Sequence, residues 1–287
     1  MNTTSTQAAE VLEELLQTAT IHRTSYDHCE LVWQEWPDPA PGSDQRAPLI
    51  LLHGGFGSWT HWVANIPELV KERKVWTVDL PGLGDSSDMP EPHTPEHAAQ
   101  IILHGIDTVL DPTAHFEIAG FSYGAMVGAR LAVAAHSRCE RFVAIGAAGC
   151  GDLHVQVHLV PPPGPEVDAD EAVSIHHSNL RVLMFADEDL IDDLAIHTHS
   201  ENLARHRINT RRISLSDDFL QALPLIQGKL VGVWGSQDAT AGHNDAIERR
   251  RQLFEEAQAG AEFHVLDGIG HWAMYEAPQA VNKILLA

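Results

Sequence analysis

The sequence predicts an α/β protein: a mostly parallel, doubly wound sheet covered by helices on both faces, with one inserted helical cap. Two observations predict it. Short apolar or β-branched runs alternate with helical stretches over most of the 287 residues, the order expected when each parallel strand needs a crossover before the next. The alternation then breaks once, between Gly151 and about Ala222, in a stretch with no strand pattern and too long for an ordinary connection.

In chain order, Val11, Leu12, Leu15 and Leu16 have helical spacing and predict a short amphipathic helix. Cys29 to Trp36 predicts an additional edge strand, ended by a Pro- and Gly-rich turn at residues 37–43. The runs Leu49 to Leu52, Val75 to Val78, Phe116 to Ala119, Phe142 to Ile145, Leu230 to Trp234 and Phe263 to Leu266 are each bounded by Gly, Asp or Pro and predict buried strands. Helices are predicted near residues 58–71, 95–110, 123–136, 243–259 and 272–286. The break contains a Pro-rich turn (Pro161, Pro162, Pro163, Pro165), then polar helical sequence rich in acids and histidines. Residues 151–222 are therefore assigned to the cap, and residues 1–150 and 223–287 to the core.

Composition narrows the function classes. The chain is 44% hydrophobic and 20% charged, within the globular range. Its net charge of −22 repels phosphate backbones and anionic lipid surfaces, which argues against nucleic-acid and membrane partners. No basic start followed by an apolar run opens the chain, and no apolar run approaches 18 residues, so secretion and membrane spanning are not expected. Cys29, Cys139 and Cys150 are odd in number and lack C-x-x-C spacing, which predicts neither a disulfide framework nor a zinc knuckle and fits a reducing cytoplasm. His154 and His158 are four apart, but the alternation of Val155 and Val157 reads as extended, so no metal site is expected.

The chemistry-bearing signal is Gly120-Phe121-Ser122-Tyr123-Gly124, between the strand ending at Ala119 and the small-residue helix Ala125 to Ala135. A nucleophile on a tight strand-to-helix turn needs small neighbours so that the backbone can fold sharply and expose the hydroxyl. It also sits at a helix N-terminus, whose unpaired amides can stabilise a developing oxyanion. Upstream, Leu49 to Leu52 runs into His53-Gly54-Gly55-Phe56-Gly57. Gly55 is the choice for one oxyanion donor, with Phe56 as its rival, and Tyr123 for the other. His53 reads as a residue that holds the loop. Downstream, strands end in Gly235-Ser236-Gln237-Asp238 and in Asp267-Gly268-Ile269-Gly270-His271-Trp272, placing an acid and a histidine on the same sheet edge as Ser122.

Together with Asp79-Leu80-Pro81-Gly82-Leu83-Gly84-Asp85-Ser86, these pieces resemble the α/β-hydrolase superfamily over nearly the whole chain. The resemblance implies an α/β-hydrolase fold and a cofactor-free catalytic triad: Ser122 as nucleophile, His271 as general base and then acid, Asp238 as the group orienting the imidazole. Asp152, after the strand Phe142 to Ile145, is the rival acid. A Ser at position 122 disfavours the related dehalogenases and epoxide hydrolases, which use Asp.

Gly270-His271-Trp272 followed by Glu276, and the cap stretch Leu183 to Leu203, are similar to the carbon–carbon bond hydrolases of aromatic catabolism. Asn65 falls where those enzymes carry an Asn in the oxyanion loop. Phe121 stands where they usually have Asn, and His197, Thr198 and His199 stand near their carboxylate-gripping cap Arg, leaving Arg205 or Arg181 to compensate from another turn. Phe56, Phe121, Trp272 and Met274 suggest an apolar pocket wall.

The remaining features read as structural. Asp187, Glu188, Asp189, Asp192 and Asp193 form a solvated acidic face, His176 and His177 are surface residues, and Cys150 is a buried small hydrophobe. The expected function is hydrolysis of a small organic ester or activated ketone. The alternatives are carbon–carbon bond hydrolysis of a ring-fission dienol ketone, and a ligand-binding receptor on a hydrolase scaffold. The expected partner is a small molecule, and the sequence is compatible with a homo-oligomer.

Overall fold

Strands β1 (Thr20–Tyr26), β2 (Cys29–Trp36), β3 (Leu49–Leu52), β4 (Val75–Val78), β5 (Phe116–Phe121), β6 (Cys139–Ile145), β7 (Lys229–Gly235) and β8 (Glu262–Leu266) form one sheet in the computed structural model, which describes residues 3–37, 46–164, 166–242 and 244–287. Their order is β1-β2-β4-β3-β5-β6-β7-β8. The β1–β2 and β2–β4 pairs are antiparallel, and every pairing from β4 through β3 to β8 is parallel. The helices are α1 (Thr3–Leu16), α2 (Ile66–Leu69), α3 (Pro95–Val109), α4 (Tyr123–Ala135), α5 (Ala169–Leu183), α6 (Asp193–Ala204), α7 (Thr210–Ser214), α8 (Asp218–Ala222), α9 (Asn244–Ala257), α10 (Ala273–Glu276) and α11 (Pro278–Leu285).

Period-two alternation divides each central strand between two apolar layers. Ile50, Leu52, Ile118, Phe142 and Ala144 face the layer made with α3, α4 and α9. Leu49, Leu51, Ala119, Phe121, Val143 and Ile145 face the opposite layer, made with α2, α10, α11 and parts of α5 and α6. Between β6 and β7, residues 151–222 carry α5 to α8 and, among the described residues, no strand. The first helix, α1, packs on α6 of that stretch.

Several expectations need correction. Cys29–Trp36 is not the edge: β1 lies outside it, a strand whose residues are mostly exposed and which therefore lacks the apolar alternation that marks the others. At the other edge, β8 is only half-buried. The helix expected at 58–71 is a 3₁₀ turn at Trp59–Trp62 followed by the short α2, with Pro67 at its start. That expected at 272–286 divides into α10 and α11 at Pro278, which cannot continue the preceding backbone ladder. Of the turn at 37–43, residues 38–43 lie outside the described residues, as do Pro165 and position 243. No described helix is long and apolar enough to cross a membrane.

Candidate active site

Loops leaving the carboxyl ends of β3, β5, β7 and β8 meet at a cavity of about 80 Å³, the edge where open α/β sheets bind ligands. From these loops come Gly55, Phe56, Phe121, Ser122, Thr240 and His271. The opposite wall comes from the β6–β7 insertion, including His154, Leu183, Met184, Thr210, Arg211 and Leu215.

Ser122 joins β5 to α4 with φ 52° and ψ −115°, a backbone conformation that L residues rarely adopt. The turn is held from both sides: the Ser122 amide donates to Ile145 O at 2.9 Å, and its carbonyl accepts the amides of Ala125 and Ala148, each at 3.1 Å. Gly124 permits the close approach, since a Cβ there would stand 2.2 Å from His53 O. Ser122 and His271 line the same cavity, but no hydrogen bond joins them among the described residues. In unliganded sites such bonds are often long and tighten only around substrate.

The other link is tight. His271 Nδ1 lies 2.8 Å from Asp238 Oδ2, with side-chain exposures of 3% and 0%. Thr240 donates its amide and its hydroxyl to Asp238 Oδ1, each at 2.8 Å. Burial alone would push the Asp238 carboxyl up, but the imidazole and the two Thr240 bonds outweigh it and hold the group below its ordinary value. An ionised Asp238 fixes the proton on Nδ1 and leaves Nε2 with its lone pair, the tautomer a general base requires. Gly146 (φ 52°) lies against the pair, where a Cβ would be 3.0 Å from His271 Nδ1 and 3.2 Å from Asp238 Oδ2. The rival acid Asp152 is exposed in a 3₁₀ turn and does not line this cavity.

In the loop after β3, the buried His53 ring accepts the Leu80 amide on Nε2 at 2.9 Å and so donates from Nδ1 to Gly54 O at 2.8 Å. Burial pushes its pKa down to about 4, and with both nitrogens engaged it ties the loop to the one after β4. Gly55 adjoins the start of α4: a Cβ on it would lie 3.6 Å from Tyr123 Cβ. As the first residue of α4, Tyr123 has an amide without an intrahelical acceptor. Phe56 also lines the cavity, with φ 53°.

Other expectations are not met. Trp272 does not line the cavity; it is buried, donates Nε1–H to His61 O at 2.9 Å and packs its ring on His61 and Phe185. Met274 is likewise buried outside the lining. Asn65 stands at the start of α2 without a side-chain capping bond, donates to Asn282 Oδ1 at 2.9 Å and does not line the cavity. His176 is buried, its ring edge-on to His199, because α5 turns this residue inward against α6. Neither Arg205, paired with Asp85 and Glu201, nor Arg181, near Glu188, reaches the cavity lining. Arg211 does, and its guanidinium donates to Val157 O. Arg211 and Thr210 went unmarked in the sequence because a five-residue helix has neither a periodicity nor a motif to flag them. The five acidic residues from Asp187 to Asp193 are exposed, and Cys150 is buried.

Comparison with known proteins places the fold. Residues 49–284 match the Alpha/beta hydrolase family. The chain is 26% identical over 261 residues to the dihydrolipoyllysine-residue acetyltransferase component of the acetoin cleaving system of Pseudomonas putida, covering 86% of this chain but only 64% of that relative's length. It is 25% identical over 260 residues to a 2-hydroxy-6-oxononadienedioate/2-hydroxy-6-oxononatrienedioate hydrolase of Comamonas testosteroni, covering 83% of this chain and 86% of the relative. Its fold superposes on a carboxylesterase of Bacillus subtilis with a TM-score of 0.71 at 20% identity, covering 99% and 97% of the two chains. The protein belongs to the alpha/beta hydrolase family.

Proposed function

We propose that the protein hydrolyses a small organic ester or activated ketone through Ser122, His271 and Asp238, with residues 151–222 acting as a cap over the site. The supporting observation is the buried 2.8 Å contact between His271 and Asp238, opening onto the cavity that Ser122 also lines. His271 Nε2 takes the Ser122 proton as Oγ bonds to the carbonyl carbon, and the carbonyl electron pair moves onto oxygen. The amides of Gly55 and Tyr123 stabilise that oxyanion. Its collapse expels the leaving group, which takes the proton from His271. Water, deprotonated by the same imidazole, then releases the acid and restores Ser122. No cofactor enters this scheme, the substrate is a small molecule, and the three free, buried thiols are in keeping with a reducing cytoplasm.

Arg211 favours a second reading, carbon–carbon bond hydrolysis of a ring-fission dienol ketone. It puts a guanidinium, with no carboxylate partner among the described ion pairs, beside the cavity, suited to an anionic end of such a substrate. The Comamonas relative carries the name of such a hydrolase.

Turnover of p-nitrophenyl esters compared with coloured ring-fission products separates the two readings. In either case Ser122→Ala and His271→Ala are expected to lower kcat by roughly 10³-fold or more while the fold persists. Near wild-type turnover by Ser122→Ala would overturn the mechanism. Tight ligand binding without labelling of Ser122 by a fluorophosphonate would favour the receptor alternative.

A further inference from the structure

We infer that the Thr210 hydroxyl, carried by the insertion rather than by the sheet, is a third hydrogen-bond donor to the oxyanion. The inference rests on the hydrolytic reading above. Thr210 opens α7, is 1% exposed, and its Oγ1 is a buried hydroxyl with no hydrogen-bond partner. Native proteins leave few such groups, and those they leave call for an explanation. A Thr hydroxyl in a helix commonly bonds a nearby backbone group, but Thr210 Oγ1 makes no such bond, and the residue's own amide and carbonyl are engaged elsewhere. The Thr210 amide donates to Ile208 O at 2.9 Å, and the Thr210 carbonyl accepts the Ser214 hydroxyl at 2.8 Å.

Oγ1 lies instead against the oxyanion loop. A Cβ on Gly55 would stand 2.5 Å from it and 3.6 Å from Tyr123 Cβ. One hydroxyl and the two residues proposed to supply oxyanion amides thus converge beside a cavity that Ser122 and His271 also line. This accounts for glycine at position 55, where any side chain would displace Thr210. It also accounts for an idle donor in the resting site. A group that gains its acceptor only when negative charge develops on the substrate oxygen stabilises the transition state more than the ground state. The oxyanion hole is then complete only with α7 seated, which couples the position of the insertion to catalysis.

The test uses the full chain with p-nitrophenyl acetate and with a fluorophosphonate, whose phosphoryl oxygen occupies the same hole as Ser122 is phosphonylated. Thr210→Val keeps the shape and removes the donor; Thr210→Ser keeps the donor. Thr210→Val is expected to lower kcat and the labelling rate by roughly 10²-fold with KM little changed, while Thr210→Ser retains most of both. Its melting temperature should hold or rise, because an unsatisfied hydroxyl has left the interior. Equal rates for Thr210→Val and wild type, or equal losses for Val and Ser, would overturn the inference and leave the Ser122 mechanism standing. Wild-type protein that neither turns over the ester nor labels at Ser122 would instead remove the hydrolytic reading, and this inference with it.

Discussion

Glu276 Oε2 accepts the amide of Gly270 at 2.6 Å, one residue before His271. Its Oε1 accepts the amides of Ala186 and Asp187, at 2.9 and 2.8 Å, from the turn after α5. One nearly buried carboxylate thus ties the histidine loop to the insertion, reinforced by the Trp272 amide on Met184 O at 2.8 Å. On the proposed mechanism Glu276 acts by positioning His271. Glu276→Ala orphans three backbone donors and should destabilise the fold by about 2–4 kcal/mol. It should also lower kcat. Urea denaturation together with steady-state kinetics checks both, and an unchanged kcat would refute the positioning role.

Asp238→Asn keeps the size and an acceptor oxygen for Thr240 but presents an amide N–H₂ to His271. The imidazole then carries its proton on Nε2, where it faces Ser122 as a donor. A fall in kcat of roughly 10⁴-fold is expected, with a melting temperature close to wild type. Activity within tenfold of wild type, about 1.4 kcal/mol in barrier, would reject this orienting role.

If the carbon–carbon reading holds, Arg211→Gln removes the cation offered to the substrate's carboxylate. KM for a ring-fission ketone should rise roughly 10- to 100-fold, as expected for a lost charged hydrogen bond. KM for neutral esters should stay near wild type. Parallel shifts on both substrates would point to damaged packing instead of lost recognition.

Buried neutral histidines should make the fold acid-labile. Burial pushes His53 and His199 down to about 4, and His61 well below its ordinary value. At His53 and His199 the unfolded chain takes up protons near pH 6.5, while the folded chain refuses them until about pH 4. Each such group therefore stabilises the fold fully above 6.5 and loses that contribution as pH falls. By pH 5 the loss is about 2 kcal/mol for each of His53 and His199. Asp79, raised by burial to about 7, acts in the opposite sense, so the clean readout is a difference between variants. Between pH 7.5 and 5, His199→Gln should lose less stability in urea than wild type. Equal losses would show that His199 takes its proton as readily in the folded state.

What the sequence made legible follows from what leaves a pattern. Strands β3 to β7 are buried on both faces and read as apolar runs, whereas β1, with only Thr24 buried, offered no alternation. Ser122, Asp238 and His271 lie in motifs because a sharp turn and strand-end loops need particular neighbours. Thr210 and Arg211 reach the cavity through tertiary packing of a short helix, which leaves no local mark. Trp272 shows the reverse: a large apolar residue beside His271 suggested a wall, yet its indole N–H found a partner in the His61 carbonyl and turned it into the core.

The Ser122 backbone has a consequence for how this protein can be improved. Its dihedrals suit glycine, so Ser122→Gly would relax the chain at the one position where relaxation removes the proposed nucleophile. Thermal robustness and reactivity pull in opposite directions at this residue, and a search for hardier variants that does not also select for turnover would drift toward an inert scaffold.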